Sequence, residues 1–302
     1  MPDTSPIEPE LLQMTRSVSR SIVLPAKNEA ASLASLLPEL KERVPDAEII
    51  VVDDGSTDDT IALCKLHQVN VVSQPYCMGN GAAVKAGARA ASGEILVFMD
   101  ADGQHRPEDI PVLLEKLGQG YDMVVGARVS HKSQAGLHRA AANGLYNRFA
   151  SWMSGHDVLD LTSGFRVVKA HLFKRFLYLL PNGFSYPTTI TMAFFRSGYS
   201  VAYEPIEVDK RNGKSHIRLW RDGVRFLLII FKIGTLFSPL KLFLPISLLF
   251  FVTGLGYYVH TYITSGRFTN MSALLFITSV LIFLIGLVSE QITALMYRDK
   301  ED

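Results

Sequence analysis

Two long runs without a charged side chain, residues 242 to 266 and 268 to 289, constrain this chain more than any other feature. The hydrocarbon core of a bilayer is about 30 Å thick, and about 20 apolar helical residues cross it. Each run is therefore long enough to span. A buried hairpin of a soluble core is the alternative, but such helices are shorter and keep a polar stripe. The sequence predicts a two-helix transmembrane hairpin over residues 240 to 297.

The other residues have the mixed charge of a soluble domain, and their charges nearly cancel. The chain has 30 basic and 29 acidic side chains among 302 residues, for a formal net charge of +1. Proteins that bind nucleic acid by neutralising phosphates normally show a clear basic excess. We therefore predict no nucleic-acid partner. An N-terminal extension, residues 1 to 19, has no apolar run that would predict a signal peptide.

Basic residues gather on one side of the predicted hairpin. The connector between the two runs holds only Arg267, whereas the flanking segments hold Arg218, Arg221, Arg225, Lys232, Lys241, Arg298 and Lys300. The positive-inside rule then predicts a multi-pass protein of the cytoplasmic (inner) membrane, with its soluble domain and its tail, residues 298 to 302, in the cytosol. Charges three and four apart beside an apolar face predict an interfacial amphipathic helix over residues 217 to 239.

Between residues 20 and 125, short runs rich in β-branched residues alternate with helical patterns. We predict strands at 21–24, 48–52, 70–73, 95–99 and 123–125, and helices at 29–43, 58–67, 81–91 and 107–117. Such an alternation is typical of an α/β fold with a mainly parallel sheet covered on both faces. Ligands of these sheets bind beyond the carboxyl ends of the strands. Functional residues are thus expected directly after each strand.

The first two predicted strands are each followed by a polar cluster. Pro25 to Glu29 follow the first strand, and Asp53 to Thr57 follow the second. A helix start explains the hydroxyl groups and later acids of the second cluster. It does not explain Asp53 and Asp54, which end a hydrophobic strand. We therefore predict that at least one of them contacts a ligand.

The fourth predicted strand is followed by Asp100 and Asp102, two residues apart, with Gln104 two residues further. Residues at this spacing on an extended segment project to the same side. Two carboxylates held so close repel each other unless a cation lies between them, and oxygen ligands suit Mg²⁺ or Mn²⁺. A turn around Gly103 stabilised by Asx-type hydrogen bonds remains the alternative. The preferred interpretation is a metal and diphosphate site.

The residues around these clusters resemble a known family. The chain is similar to the inverting glycosyltransferases of family 2 with the GT-A (Rossmann-like) fold, and within them to polyprenyl-phosphate glycosyltransferases such as the dolichol-phosphate mannose synthases. The resemblance covers residues 20 to 216, which would form the GT-A domain. The matching segments are 23–29, 51–58, 79–83, 99–105, 126–128 and 160–166, and they follow in family order.

The resemblance implies roles for individual residues. It implies that the nucleoside of the donor is surrounded by Pro25, Lys27, Glu29, Asp53 and Asp54. Against the donor diphosphate it implies Asp100, Ala101, Asp102 and Gln104, of which the two aspartates and the glutamine would hold the divalent cation. Arg128, Arg139 and Asn143 resemble the positions that receive the lipid phosphate, although the family often has Ser at the place of Asn143. Lys210, Arg211, Lys214 and His216 resemble a phosphate-facing loop, but Lys210 stands where Arg is usual and His216 where Lys is usual.

The resemblance also implies an activity, with Asp100, Asp102, Gln104 and Arg128 as the catalytic residues. It is metal-dependent, inverting transfer of a sugar from a nucleotide-sugar, GDP-mannose or a UDP-hexose, to dolichyl or undecaprenyl phosphate at the bilayer. Two alternatives remain open: a processive polysaccharide synthase on the same fold, and a membrane-anchored sugar-nucleotide binder without turnover. The Gln-x-x-Arg-Trp element typical of processive synthases does not occur in the sequence. A homo-oligomer is also left open.

Overall fold

The structure is a computed structural model that describes residues 18–128, 137–183, 185–208, 231–232 and 234–297, with the backbone alone for 137–143. The predicted phosphate-facing loop with Lys210, Arg211, Lys214 and His216, and most of the predicted interfacial helix, lie outside the described residues. The chain forms two compact units. The sheet unit contains the sheet with α1 to α4 and α6, and the hairpin unit contains α5, most of α7, and the long helices α8 and α9.

Seven strands form one sheet in the order β3-β2-β1-β4-β6-β5-β7. The strands are β1 Arg20–Ala26, β2 Ala47–Asp53, β3 Asn70–Ser73, β4 Ile95–Phe98, β5 Met123–Arg128, β6 Arg166–Lys169 and β7 Val201–Ile206. The helices are α1 Ala30–Arg43, α2 Thr60–Leu66, α3 Asn80–Ala90, α4 Asp109–Gly118, α5 Leu137–Ser154, α6 Ala170–Arg175, α7 Tyr186–Arg196, α8 Pro239–Ser265 and α9 Asn270–Met296. The α/β class and all five predicted strands are confirmed.

The core of the sheet unit follows from apolar residues on both faces of the inner strands. β1 and β2 are buried along most of their lengths, and Leu33, Leu37 and Leu40 of α1 cover one face of the sheet. On the α3 side, a Cβ at Gly87 would lie 2.3 Å from a methyl group of Val23. The absence of a side chain there lets the helix approach the sheet closely. Burial on both faces is what a parallel sheet requires.

Strand β6 is the main departure from the predicted pattern. It pairs antiparallel with β4 on one side and with β5 on the other, whereas β1 pairs parallel with β2 and β4, and β2 parallel with β3. The sheet is therefore mainly parallel, as predicted, with one reversed strand inside it. Since β4 and β5 are both antiparallel to β6, they run in the same direction, and their carboxyl ends lie at the same edge.

The helices α8 and α9 are both long and apolar enough to cross a membrane. Their most apolar windows are only 11% and 17% buried, so a hairpin enclosed in a soluble core does not describe them. The helices extend beyond the uncharged runs at both outer ends, because they include Lys241 and Glu290. The Lys241 Nζ donates to the carbonyl oxygen of Met153 at 3.0 Å, near the end of α5.

Small residues form the seam between α8 and α9. The buried residues of α9 are Ser272, Ser279, Gly286 and Thr293, seven residues apart. Ser279 and Ser247 of α8 exchange hydrogen bonds of 2.9 Å, each hydroxyl donating to the other's carbonyl oxygen. In a bilayer apolar surface gains little by leaving lipid, so close backbone approach and hydrogen bonds drive helix pairing. The repeat of seven keeps the small residues on one face along the helix pair.

Glu290 is an acid within α9 that has defined partners inside the hairpin unit. Its Oε1 accepts from Nη2 of Arg196 at 2.8 Å, and its Oε2 accepts from the backbone N–H of Leu240 at 3.2 Å. Leu240 lies in the first turn of α8, where the helix dipole favours a negative charge. Glu290 therefore joins both long helices and α7.

A matched pair of glycine substitutions tests the seam. In Gly286→Ala the new Cβ would lie 2.8 Å from the Cβ of Phe243, whereas in Gly256→Ala nothing lies within 4 Å. Overpacking a tight contact costs about 1–3 kcal/mol. We expect Gly286→Ala to lower the thermal midpoint of the detergent-purified protein, with Gly256→Ala melting at or above the wild-type midpoint. Equal midpoints for both variants would contradict this packing.

Candidate active site at the carboxyl edge of the sheet

The register of β1 and β2 brings two of the predicted polar clusters side by side. Ala26, the last residue of β1, pairs with Asp53, the last residue of β2. The N–H of Asp54 donates to the carbonyl oxygen of Ala26 at 2.9 Å, which continues the contact one step past the strands. Lys27 and Asp54 therefore begin neighbouring loops at the same edge. Pro25 lies within β1 and is half-buried.

Hydrogen bonds join these two loops to each other. Asn28, in the left-handed region at φ 56°, donates its N–H to Oγ of Ser56 at 2.9 Å and accepts from the N–H of Thr57 at 2.7 Å. Asp58 accepts from the N–H of Ala30 at 3.1 Å. Slight desolvation raises the pKa of Asp58, but hydrogen bonds from Thr60 and Ala30 outweigh it and hold the pKa below its usual value. The polar residues after β2 thus act mainly as bridges between loops.

Asp53 and Asp54 are both buried, and each accepts hydrogen bonds from the backbone. Oδ1 of Asp53 accepts from the N–H of Ser56 at 3.0 Å. Asp54 accepts from the N–H of Met78 at 2.6 Å and from the N–H of Gly79 at 3.0 Å, and so holds the segment between β3 and α3. A carboxylate that accepts several backbone N–H groups is satisfied without a ligand. These contacts favour a structural role for Asp54 beside the donor role predicted for it, whereas Asp53 accepts a single N–H, from Ser56.

Cys77 is a member of this cluster that the sequence did not indicate. Its side chain is exposed, and its Sγ lies 3.1 Å from Oδ2 of Asp54. The hydrogen bond and charge of Cys77, together with the charge of Asp54, raise the pKa of Lys27. The loop is close-packed, because a Cβ at Gly55 (φ 73°) would lie 2.9 Å from the backbone nitrogen of Cys77. A thiol, an ammonium group and a carboxylate therefore meet where nucleoside contacts were predicted.

The segment after β4 places the second acidic pair at the same edge. Asp100, Asp102 and Gln104 are all half-buried, while Ala101 between the aspartates is buried. Oδ1 of Asp102 accepts from the N–H of Gln104 at 3.2 Å, so the Asx-type turn expected as the alternative does form. Next to it, the buried ring of His105 stacks on Phe165 with centroids 5.1 Å apart. The turn holds Asp102 and Gln104 together and leaves the two aspartates partly exposed to solvent.

The donor chemistry of this turn fits a hard divalent cation. Two carboxylates and one amide offer oxygen atoms only, which is the ligand type that Mg²⁺ and Mn²⁺ prefer. Among the described residues, no three His, Cys, Asp or Glu side chains group as a metal site. A cation here would rest on the two aspartates, with the Gln104 amide and ligand oxygens completing its coordination. Glu29, whose Oε2 accepts from the Ser32 hydroxyl at 3.2 Å, is half-buried at the start of α1.

The three predicted acceptor residues are distributed over two units. Arg128 ends β5 and is half-buried, and β5 runs parallel to β4, so it lies at the same edge as Asp100. Arg139 and Asn143 belong to α5, and their spacing of four places them on one face of that helix. The side chains of these two residues lie outside the described part of the chain.

Gly164 and Tyr186 also border the acidic pair without having been predicted. A Cβ at Gly164 would lie 3.0 Å from Oδ2 of Asp100. Tyr186 is fully buried, its hydroxyl donates to the carbonyl oxygen of Gly164 at 3.4 Å, and its ring lies 5.9 Å from the guanidinium carbon of Arg166. Burial, and then the charge of Asp100, raise the pKa of Tyr186. These residues come together because of the order of strands in the sheet, which could not be predicted from the spacing of residues in the sequence.

Comparisons with known proteins identify the family of the chain. The profile of glycosyl transferase family 2 matches residues 21–178, and that of the GtrB C-terminal hairpin matches residues 238–295. The fold and the carboxyl-edge site define a GT-A type glycosyltransferase. The chain belongs to glycosyl transferase family 2, which confirms the predicted family and the predicted enzyme class.

Several relatives show how far the similarity extends. A dolichyl-phosphate hexose transferase of Haloferax volcanii is 30% identical over 67% of this chain and 88% of its own length. A polyprenol monophosphomannose synthase of Mycolicibacterium smegmatis is 27% identical over 63% of this chain and 77% of its own. Among solved structures, the glucosyl-3-phosphoglycerate synthase of Mycobacterium tuberculosis in complex with Mn²⁺, UDP-glucose and phosphoglyceric acid is 26% identical, with a TM-score of 0.57. The matched region covers 74% of this chain and 82% of the chain of that synthase.

The two cysteines provide a test of the cluster around Asp54. Cys77 is exposed and Cys64 is buried, so N-ethylmaleimide should modify Cys77 first. If Lys27 and Asp54 contact the nucleoside, bound nucleotide covers the thiol between them. We expect saturating UDP or GDP with Mn²⁺ to slow alkylation of Cys77 at least about tenfold, as measured by mass spectrometry of tryptic peptides, with Cys64 as internal control. Unchanged alkylation in the presence of a nucleotide shown to bind would contradict the placement.

Proposed function

We propose that this enzyme transfers a sugar from a nucleotide-sugar, GDP-mannose or a UDP-hexose, to a polyprenyl phosphate, dolichyl or undecaprenyl phosphate. The transfer is metal-dependent, inverts the anomeric centre, and takes place at the cytoplasmic face of the membrane. The observation that carries the proposal is the half-exposed pair Asp100 and Asp102 at the carboxyl edge, beside the loops of Lys27 and Asp54. That edge is where a parallel α/β sheet binds its ligands.

The names of the relatives support both substrates. Two of the relatives described above act on polyprenol or dolichyl phosphate by name, and the solved structure holds Mn²⁺ and UDP-glucose. The pattern of Asp100, Asp102 and Gln104 is the part of this chain that matches a cation and diphosphate site. A bound cation supplies Lewis-acid stabilisation of the departing diphosphate. The chain's own contribution is to hold the Asp102 carboxylate beside Gln104 through the Asx turn.

The acceptor needs orientation more than activation. A phosphate monoester has a second pKa of about 6, so it is mostly a dianion at neutral pH and needs no general base. Arginine binds phosphate oxygens in pairs through its planar guanidinium group. Arg128 is the last residue of β5 and so lies at the carboxyl edge of the sheet. We assign Arg128, with Arg139 and Asn143 of α5, to the lipid phosphate. The cations of residues 210 to 216 are assigned to the donor diphosphate.

The membrane hairpin gives this reaction its location. A polyprenyl phosphate keeps its tail in the bilayer and its phosphate at the surface, so an enzyme that spans the bilayer meets it there. Helices α8 and α9 have the required length, and the basic residues before α8 and after α9 predict a cytosolic soluble domain. Residues 217 to 239 would lie in the interface, where each cation near an anionic leaflet contributes about 1 kcal/mol.

The experiment that tests the proposal is a transfer assay with membranes containing the full-length protein. Radiolabelled GDP- and UDP-sugars are supplied with undecaprenyl or dolichyl phosphate, and products are separated by thin-layer chromatography of the lipid extract. The proposal expects one lipid-linked monosaccharide whose formation requires the polyprenyl phosphate. A water-soluble polymer would indicate a processive synthase instead, and binding of the donor without any transfer would indicate a binder without turnover.

Substitution of one predicted metal ligand gives the corresponding variant test. We expect Asp102→Ala to lower transfer by at least about 10²-fold, because the charge stabilisation supplied by a catalytic metal is worth several kcal/mol. Asp46→Ala is the matched control, since exposed Asp46 directly precedes β2 at the opposite, amino edge of the sheet. Both proteins should insert and melt like the wild type. Normal transfer by Asp102→Ala in Mg²⁺ would exclude the assigned site.

A further inference from the structure

Gly164 lies opposite a predicted metal ligand as a consequence of strand register. In the antiparallel ladder of β4 and β6, Phe98 pairs with Arg166. Extending this register two residues past the ladder places Asp100 opposite Gly164. Directly opposed residues of antiparallel strands point their side chains to the same face with Cβ atoms about 4.5–5.5 Å apart. Asp100 therefore has a cross-strand neighbour that has no side chain.

The carboxylate of Asp100 occupies the space that a side chain at residue 164 would need. A Cβ built on Gly164 would lie 3.0 Å from Oδ2, 3.3 Å from Oδ1 and 3.4 Å from Cγ of Asp100, and these are the three nearest atoms. Both carboxylate oxygens thus lie beside the backbone of Gly164. The φ angle of Gly164 does not lie in the left-handed region, in contrast to that of Gly103 in the neighbouring turn. A side chain at this position is limited by its short distance to the Asp100 carboxylate and not by the backbone conformation.

The backbone around Gly164 is held on each side, so it cannot easily shift to accept a methyl group. The carbonyl oxygen of Ser163 accepts from Nη2 of the fully buried Arg166. The carbonyl oxygen of Gly164 accepts from the Tyr186 hydroxyl at 3.4 Å. The carbonyl oxygen of buried Phe165 accepts from the N–H of Gly126 at 3.0 Å. A side chain at 164 would therefore displace the Asp100 carboxylate in preference to the main chain.

We propose that Gly164 is a positioning residue for the divalent cation: by having no side chain, it leaves the Asp100 carboxylate in the orientation that binds the metal. The hydroxyl group of Tyr186 supports this position by donating to the carbonyl oxygen of Gly164. The proposal rests on the assignment of Asp100 and Asp102 to the metal made above. Residues that orient metal ligands without touching the metal typically change metal affinity by 10–100-fold when they are substituted.

The first test compares two glycine variants of the full-length protein in detergent. Binding of Mn²⁺ is measured by electron paramagnetic resonance of the free ion, in the presence of UDP and in a second series of GDP. Gly164→Ala should raise the dissociation constant for Mn²⁺ at least tenfold. Gly118→Ala, at the end of α4 with nothing within 4 Å of its new Cβ, should bind Mn²⁺ like the wild type. Excess Mn²⁺ should restore turnover by Gly164→Ala.

A double-mutant cycle keeps the proposal testable if Gly164→Ala proves unstable. Because the nearest atoms to the new Cβ all belong to Asp100, Gly164→Ala should lower the thermal midpoint of the wild-type chain but not of an Asp100→Ala chain. An equal loss in both chains would overturn the contact. Wild-type Mn²⁺ affinity in a folded Gly164→Ala protein would overturn the positioning role. If the wild-type protein itself binds no Mn²⁺ with either nucleotide, the metal assignment of the proposed function fails instead.

Discussion

The parallel pairing of β1 with β2 and with β4 determines where the acidic residues of the candidate site lie. Parallel strands end at the same edge, so the segments after Ala26, Asp53 and Phe98 meet there although long stretches of chain separate them. This places four aspartates, Asp53, Asp54, Asp100 and Asp102, along one edge. Negative charge concentrated in this way must be compensated by hydrogen-bond donors, cations or bound ligands.

The fold compensates the two acidic pairs differently. Asp53 and Asp54 are buried; Asp53 accepts the backbone N–H of Ser56, and Asp54 accepts those of Met78 and Gly79. Asp100 and Asp102 are half-buried at a turn whose oxygen atoms suit a hard cation. The same residue type at the same edge thus serves loop architecture in one pair and ligand binding, in our proposal, in the other. The exposed side chains of Cys77 and Lys27 lie beside Asp54 of the first pair.

The strands and helices of the first 128 residues could be predicted from the sequence because each has a strong local pattern. Predicted and observed bounds differ by at most three residues, as for β2, predicted at 48–52 and found at Ala47–Asp53. Strand β6 could not be predicted, because four residues, Arg166 to Lys169, carry no periodicity that distinguishes their direction. Because β6 was not predicted, the register that places Asp100 opposite Gly164 could not be predicted either. The role of Cys77 likewise depends on a tertiary contact between segments that follow different strands.

The hairpin illustrates the same difference between composition and contacts. Apolar composition was enough to predict two long apolar helices, but it did not predict the contacts of their charged residues. Lys241 donates to the carbonyl oxygen of Met153, and Glu290 accepts from Arg196 and from Leu240. The seam is defined by small residues repeated every seven positions, which a count of apolar residues does not detect. Specific packing and hydrogen bonds replace the hydrophobic effect as the means of pairing within a bilayer.

Removal and return of the divalent cation is the most direct measurement of the central claim. Membranes containing the protein are treated with a chelator until no divalent cation remains, and formation of lipid-linked sugar is then followed before and after Mn²⁺ or Mg²⁺ is added back. Our account predicts that transfer stops on chelation and returns when the ion is restored. Full transfer in the chelated membranes would contradict it.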